Sequence, residues 1–121
     1  MPLRFPIALV LSLVCLVVPA WADFQAGIDA RNRGDFAKAL REWRPLAEQG
    51  DARGQFYLGL LSAFGQSGPL DLAQAHMWYS LAAGNGHIGA TVYRNDLAKQ
   101  MTPAQIAEAQ KRAREWKPKT H

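Results

Sequence analysis

Asp35-Phe36-Ala37-Lys38-Ala39 returns 36 residues later as Asp71-Leu72-Ala73-Gln74-Ala75, and the echo continues, with Trp43 returning as Tyr79, Ala47 as Ala83 and Gly50 as Gly86. A fixed period of this size is the sequence signature of stacked helix pairs, each too thin to bury its apolar face alone. Upstream, Gln25-Ala26-Gly27 parallels Tyr57-Leu58-Gly59 at an offset of 32. The difference of four residues matches Gln66-Ser67-Gly68-Pro69, an insertion in a turn, where extra residues are tolerated.

Working outward from the repeat, six helices are expected. Asp23 to Arg33 reads as the first, ended by Gly34. Asp35 caps a second, Phe36 to Glu48, whose Phe36, Ala39, Leu40, Trp43 and Ala47 fall on one face at helical spacing. Pro45 lacks a backbone donor and predicts a bend or an early end there. A third helix runs from an Asp51 cap to about Phe64. Glycine inside a helix costs about 1 kcal/mol relative to alanine, so Gly59 at its centre implies a closely approaching neighbour.

The fourth helix follows Asp71, with Gln74 spaced for a capping box. Leu72, Ala75, Tyr79 and Ala83 repeat the inward stripe, and Met77 and Trp78, off that stripe, are assigned to core. After Gly84-Asn85-Gly86-His87 a fifth helix spans Ile88 to Lys99, with Arg94-Asn95 where the earlier copy has Leu-Gly. Thr102-Pro103-Ala104-Gln105 is a complete start signal for a sixth, apolar along Ile106, Ala109, Ala113 and Trp116. Its polar other face suits the terminal cap of a stack.

The first 22 residues carry Arg4 as their one charge, then an apolar run from Phe5 to Val18 and Pro19-Ala20-Trp21-Ala22. This is the pattern of a secretory signal peptide over 1–22, with cleavage expected between Ala22 and Asp23 and a periplasmic or secreted product. The run is shorter than the roughly 20 residues a membrane-spanning helix needs. Cys15, the single cysteine, follows Val14 rather than the small residue that lipidation requires, and it leaves with the leader. No disulfide can then form, so a domain over 23–116 must hold by packing alone.

The full chain has 14 basic and 10 acidic residues, net +4, and loss of Arg4 makes this +3. Much of the excess lies near the end, in Lys111, Arg112, Arg114 and the basic tail over 117–121. Such a tail can approach an anionic surface, but few charges give only a salt-screened attraction. A solvated helix face with a frayed terminus is the expectation.

Catalytic chemistry finds few candidates. His76, His87 and His121 do not fall at helical metal-ligand spacing, and Ser62, Ser67 and Ser80 sit in no nucleophile motif. Asp35 and Asp71 are occupied as caps. No glycine-rich phosphate loop follows a strand, and no stretch reads as a strand. No catalytic residue, metal or cofactor is therefore assigned, and scattered basic residues argue against nucleic acid.

Trp78-Tyr79, Ala82-Ala83 and Gly86, together with Gln55, Leu58-Gly59 and Leu61, resemble the Sel-one-like repeat, a branch of the tetratricopeptide-like helical repeats. The first copy departs from that pattern, with Glu42-Trp43 for the aromatic pair and Pro45-Leu46-Ala47 for the alanine approach. The resemblance spans about Phe24 to Trp116. It implies an all-α fold, a right-handed superhelical stack of antiparallel helix pairs, an α-solenoid of about three pairs. By function it implies an adaptor holding a protein or peptide partner in the cell envelope. The first helix of each pair would line the concave side, placing Arg31, Arg53, Phe56, Leu60, Phe64 and Asp96 there, of which Phe56 and Leu60 also fit the core. The alternatives are an envelope enzyme acting on cell-wall or β-lactam-like substrates, and a structural module that docks edge to edge in an oligomer.

Overall fold

Each helix starts where a short polar side chain satisfies backbone N–H groups that have no partner inside the helix. In the computed structural model, which describes residues 22–119, six α-helices follow one another. They are α1 (Phe24–Asn32), α2 (Phe36–Glu48), α3 (Ala52–Ala63), α4 (Leu72–Gly84), α5 (Ile88–Ala98) and α6 (Pro103–Glu115). Residues 1–21 of the expected leader, Cys15 among them, and His121 lie outside the described residues.

Asp23, Asp35, Asp51 and Asp71 accept from the backbone N–H of Ala26, Lys38, Gly54 and Gln74 respectively. His87 caps α5 through Nδ1, which accepts from the Ala90 N–H at 3.1 Å. The α6 capping box is complete, the Gln105 N–H donating to Thr102 Oγ1 at 3.1 Å and the Thr102 N–H to Gln105 Oε1 at 2.8 Å. At α4 the expected box does not close. The Gln74 side chain accepts instead from Arg112 of α6 at 3.1 Å, because that guanidinium reaches over the α4 N-terminus to Asp71.

Pro45 does not shorten α2, which continues to Glu48. The proline is buried, and the helix is gripped on both sides of it by Trp43, Leu46 and Ala47, all core residues. At the end of α2 and of α4 the chain reverses through Gly50 (φ 97°) and Gly86 (φ 104°), in the left-handed region that side-chain-bearing residues avoid. These are equivalent positions of the two copies.

Packing follows chain order. α1 lies on α2, α2 on α3, α3 on α4 and α4 on α5, an all-α fold of six helices in sequential contact and the general form of a helical-repeat array. The two copies share one device. A Cβ on Gly27 would come within 2.5 Å of Trp43 Cε2, and one on Gly59 within 2.5 Å of Tyr79 Cε1. Each glycine is thus the seat for the aromatic ring of the following helix, which is the close approach that Gly59 implied.

In the third copy Arg94-Asn95 supplies no such seat, and α6 packs against α4 more closely than it does against α5. Its C-cap, Trp116, meets Trp78 edge to face at 6.4 Å. Beyond it the chain crosses toward α2, where the Lys119 N–H donates to the Glu48 carbonyl at 2.7 Å and Lys119 Nζ to Glu48 Oε2 at 3.0 Å. The tail up to Lys119 is therefore pinned where a frayed end was expected.

The core forms two clusters on either side of α3. One gathers Trp43, Leu46, Leu58, Leu61, Met77 and Trp78. The other joins Phe56, Leu60, Ala75, Tyr79, Ala82 and Leu97. Met77 and Trp78 are core as expected. Between the copies, buried Gln55 donates through Nε2 to the Ala47 carbonyl at 3.2 Å and accepts at Oε1 from Asn85 Nδ2 at 2.9 Å. One buried amide thereby ties the C-terminal ends of α2 and α4 together, and its polar atoms are satisfied.

Candidate binding surface

Helix α3 is buried on most of its circumference, so what it offers to a partner is narrow. Arg53 lies at its N-terminal end, Tyr57 one turn on, and Phe64 at its C-cap. The Arg53 guanidinium stands 4.4 Å from the centroid of the Phe24 ring, a cation–π contact worth about 0.5–1 kcal/mol at an exposed site. Its Nη2 is also 3.5 Å from Asp51 Oδ2.

Under Arg53 a chain of rings crosses from α1 to α5. Phe24 meets Tyr57 at 5.3 Å, Tyr57 meets Phe56 at 5.3 Å, and Phe56 meets Tyr93 at 4.9 Å, each near perpendicular. His87 stacks on Phe56 at 4.1 Å with planes 13° apart. The period explains this row, since Tyr57 and Tyr93 are equivalent residues of successive copies. Tyr79, 2% exposed, lies below it, and burial raises its phenol pKa, followed by the effect of Tyr93, while Arg31 opposes both. The phenol therefore stays neutral.

The six positions expected on the concave side divide into two groups. Phe56 and Leu60 are each 7% exposed and belong to the second core cluster, so they hold the row in place and offer little area of their own. Arg53 is exposed, and Phe64 is 64% exposed. Arg31 is half-buried on α1, and its Nε has no hydrogen-bond partner among the described residues. Asp96 is exposed and pairs with Lys99 at 3.4 Å. Phe64 lies eleven residue steps beyond Arg53, a span of about 16 Å at 1.5 Å per residue. Arg53 and Phe64 thus mark the two ends of a strip along α3, with Arg31 on α1 and Asp96 on α5, and the six positions do not form a single pocket.

A cleft of about 320 Å³ opens on the other side of α3, between α2, α4 and the inserted turn. Leu40, Arg44 and Glu48 form one wall and Trp78 the other, with Ser62 beneath and Pro69 at the rim. Its volume is at the lower limit of small-molecule sites. Both rim carboxylates are already engaged, Glu48 by Lys119 at 3.0 Å and Asp71 by Arg112 at 3.2 Å. For Asp71 burial alone would raise the pKa, but hydrogen bonds from the Gln74 N–H and from Arg112 outweigh it and hold the carboxyl below its ordinary range. An acid so depressed is a poor proton donor near neutrality. The cleft was not found from the repeat pattern. Its one signal was the four-residue insertion, which contributes Ser67 and Pro69 to the lining.

His76 on α4 is 5% exposed, and its Nδ1 has no hydrogen-bond partner among the described residues. Burial lowers its pKa, and Arg94 of α5 lowers it further. The folded protein thus resists protonation that the unfolded chain accepts below about pH 6.5. Stability is expected to be complete above that value and to fall on acidification toward the depressed folded pKa. Urea unfolding midpoints between pH 7.5 and 5 should show the decline, and His76→Leu should flatten it; an unchanged slope in that variant would exclude His76 as the source.

Among the described residues no group of three or more His, Cys, Asp or Glu side chains could hold a metal ion, and no helix is long and apolar enough to cross a membrane. No protein-family model matches the chain, and neither a curated protein nor a solved structure does.

Proposed function

We propose that this chain is an exported Sel-one-like repeat protein, a right-handed superhelical stack of about three helix pairs, that binds a protein or peptide segment in the cell envelope. The observation that carries the reading is the strip along α3, with Arg53 over Phe24 at one end, the row of rings beneath and the exposed Phe64 at the other end. Aromatic rings and arginine are the groups that most often dominate binding energy at protein interfaces. Mounted on packed helices rather than on a loop, they meet a partner with less ordering cost. The basic tail, pinned to Glu48, adds at most a weak attraction toward an anionic surface.

α5 offers a second apolar edge, Ile88 at 90% and Val92 at 60% exposure, one turn apart. This favours the oligomer-forming alternative, so the experiment carries an arm for each. Envelope extract is passed over the immobilised protein, over Arg53→Ala/Phe64→Ala, and over Ile88→Ser/Val92→Ser. A partner retained by the wild type and lost about tenfold by the first variant alone is expected, since truncating interface anchors costs 1–2 kcal/mol or more. Loss confined to the second variant, or capture only of the protein itself, would move the function to the α5 edge.

A further inference from the structure

The two copies differ where Glu42 of the first stands against Trp78 of the second, 36 residues on. Trp78 has a job in the stack, receiving Trp116, the C-cap of the sixth helix. Glu42 instead reaches the start of the domain, where its Oε1 accepts from the Asp23 backbone N–H at 3.0 Å. The neighbouring Trp43 donates from Nε1 to the Phe24 carbonyl at 3.0 Å. Two consecutive residues of α2 therefore grip two consecutive residues at the beginning of α1, and the carboxylate is the one aimed at a nitrogen.

We propose that Glu42 is the seat of the processed amino terminus, an assignment that rests on the export reading above. A leader peptidase adds water across the Ala22–Asp23 amide. The Ala22 carbonyl carbon takes the hydroxyl oxygen and leaves with the leader as a carboxylate, while the Asp23 nitrogen takes protons and becomes an ammonium. A neutral N–H facing Glu42 is thereby replaced by a cation at hydrogen-bond distance from it. Charge-assisted hydrogen bonds of this kind are about twice as strong as neutral ones.

The charged groups around that nitrogen act in both directions. Glu42 faces it directly, with a side chain only 14% exposed. Asp23's own carboxylate lies on the same residue and is engaged in capping the Ala26 N–H at 3.2 Å. Lys38 opposes, 3.8 Å from Glu42 Oε2, as do the positive end of α1 and Arg53, which stands over Phe24 with Asp51 beside it. Glu42 prevails because it is in direct hydrogen-bond contact with that nitrogen, whereas Lys38 and Arg53 are held by Glu42, Phe24 and Asp51. The folded α-amine therefore titrates above its ordinary range, and the stability this adds is complete below that range and lost as the pH rises through the folded pKa.

The test uses a chain beginning at Asp23, released from a fusion without extra residues, since α1 to α6 and the buried members of both core clusters lie within it. Competitive labelling with an amine-reactive reagent reads the α-amine. It is expected to titrate above about 7.7–8.0, the ordinary range, and to react at pH 7.5 about tenfold more slowly than in Glu42→Gln. That variant keeps the acceptor oxygen and the shape, so its fold is retained by circular dichroism. A glycine added before Asp23 moves the amine away and should restore the faster rate. An ordinary or lower pKa in the wild type, or equal rates in Glu42→Gln, overturns the seat. Amino-terminal sequencing of protein recovered from expressing cells is read separately; a start other than Asp23 overturns the export reading as applied here, whatever the titration of the defined chain.

Discussion

Replacing Trp43 with alanine is expected to remove about 3–5 kcal/mol of stability, the range for deleting a large buried ring. Trp43 is 0% exposed and lies in the first core cluster, with the Tyr57 ring at 4.8 Å and the Phe24 ring at 6.1 Å. Its indole N–H also holds the Phe24 carbonyl, so the alanine variant loses the ring contacts and loosens the start of α1 together. Single domains keep only about 5–15 kcal/mol in total, and no disulfide can form from a single cysteine to offset the loss. Each kcal/mol corresponds to about 4–8 °C in a domain of this size, so the midpoint of thermal unfolding should drop by more than about 12 °C. Trp43→Phe, which keeps a ring but not the donor, should fall between the two. A cost below about 1 kcal/mol in Trp43→Ala would contradict the packing described here.

Gly59→Ala tests the other copy, and its sign is the informative part. By helix propensity alone alanine stabilises the position by about 1 kcal/mol. The added Cβ would lie 2.5 Å from Tyr79 Cε1 and 2.6 Å from Cδ1, well inside contact distance, and both residues are buried. Overpacking of a filled core costs about 1–3 kcal/mol, so a net loss of stability is expected despite the better helix former. Tyr79→Ala should also be costly, by about 3–5 kcal/mol. Combined, the two changes should cost clearly less than their sum, because removing the ring frees the space that the methyl needs. Urea unfolding of the four proteins measures the coupling. Additive losses would mean that Gly59 and Tyr79 do not share a seat.

Most helix boundaries were readable because caps are local chemistry. Asp35, Asp51, Asp71 and Thr102 each stand just before the helix they start, and each does so through a hydrogen bond to a residue no more than three positions away. Gln74 shows where local reading ends. Its spacing fits a capping box, but Arg112, 38 residues on, takes its side chain. Pro45 makes the same point in energetic terms, since core contacts on both sides keep α2 helical through a residue that disfavours the interior of a helix.

The proposed surface was legible in part. Arg53 and Phe64 are exposed as expected, whereas Phe56 and Leu60 turn into the second cluster, because on a helix flanked by two neighbours only a thin strip stays free. The row of rings was not expected from the sequence, although Tyr57 and Tyr93, 36 residues apart, carry a signal for it. Its continuity through Phe24 and His87 needed the helices to be placed.

By itself the sequence determined an all-α chain of six helices, their capped starts, the glycine turns and the inward aromatic stripe, because period and capping act over one or two helical turns. Tertiary structure decided where the last pair goes. In the third copy, which has no glycine seat, α6 packs on α4, Arg112 ties it to Asp71, and the tail crosses to Glu48. It also decided that the inserted turn walls a cleft and that Glu42 meets the start of the domain. Those contacts join residues 19 to 71 positions apart. No local pattern encodes such distances, and only the packed stack brings the partners within reach.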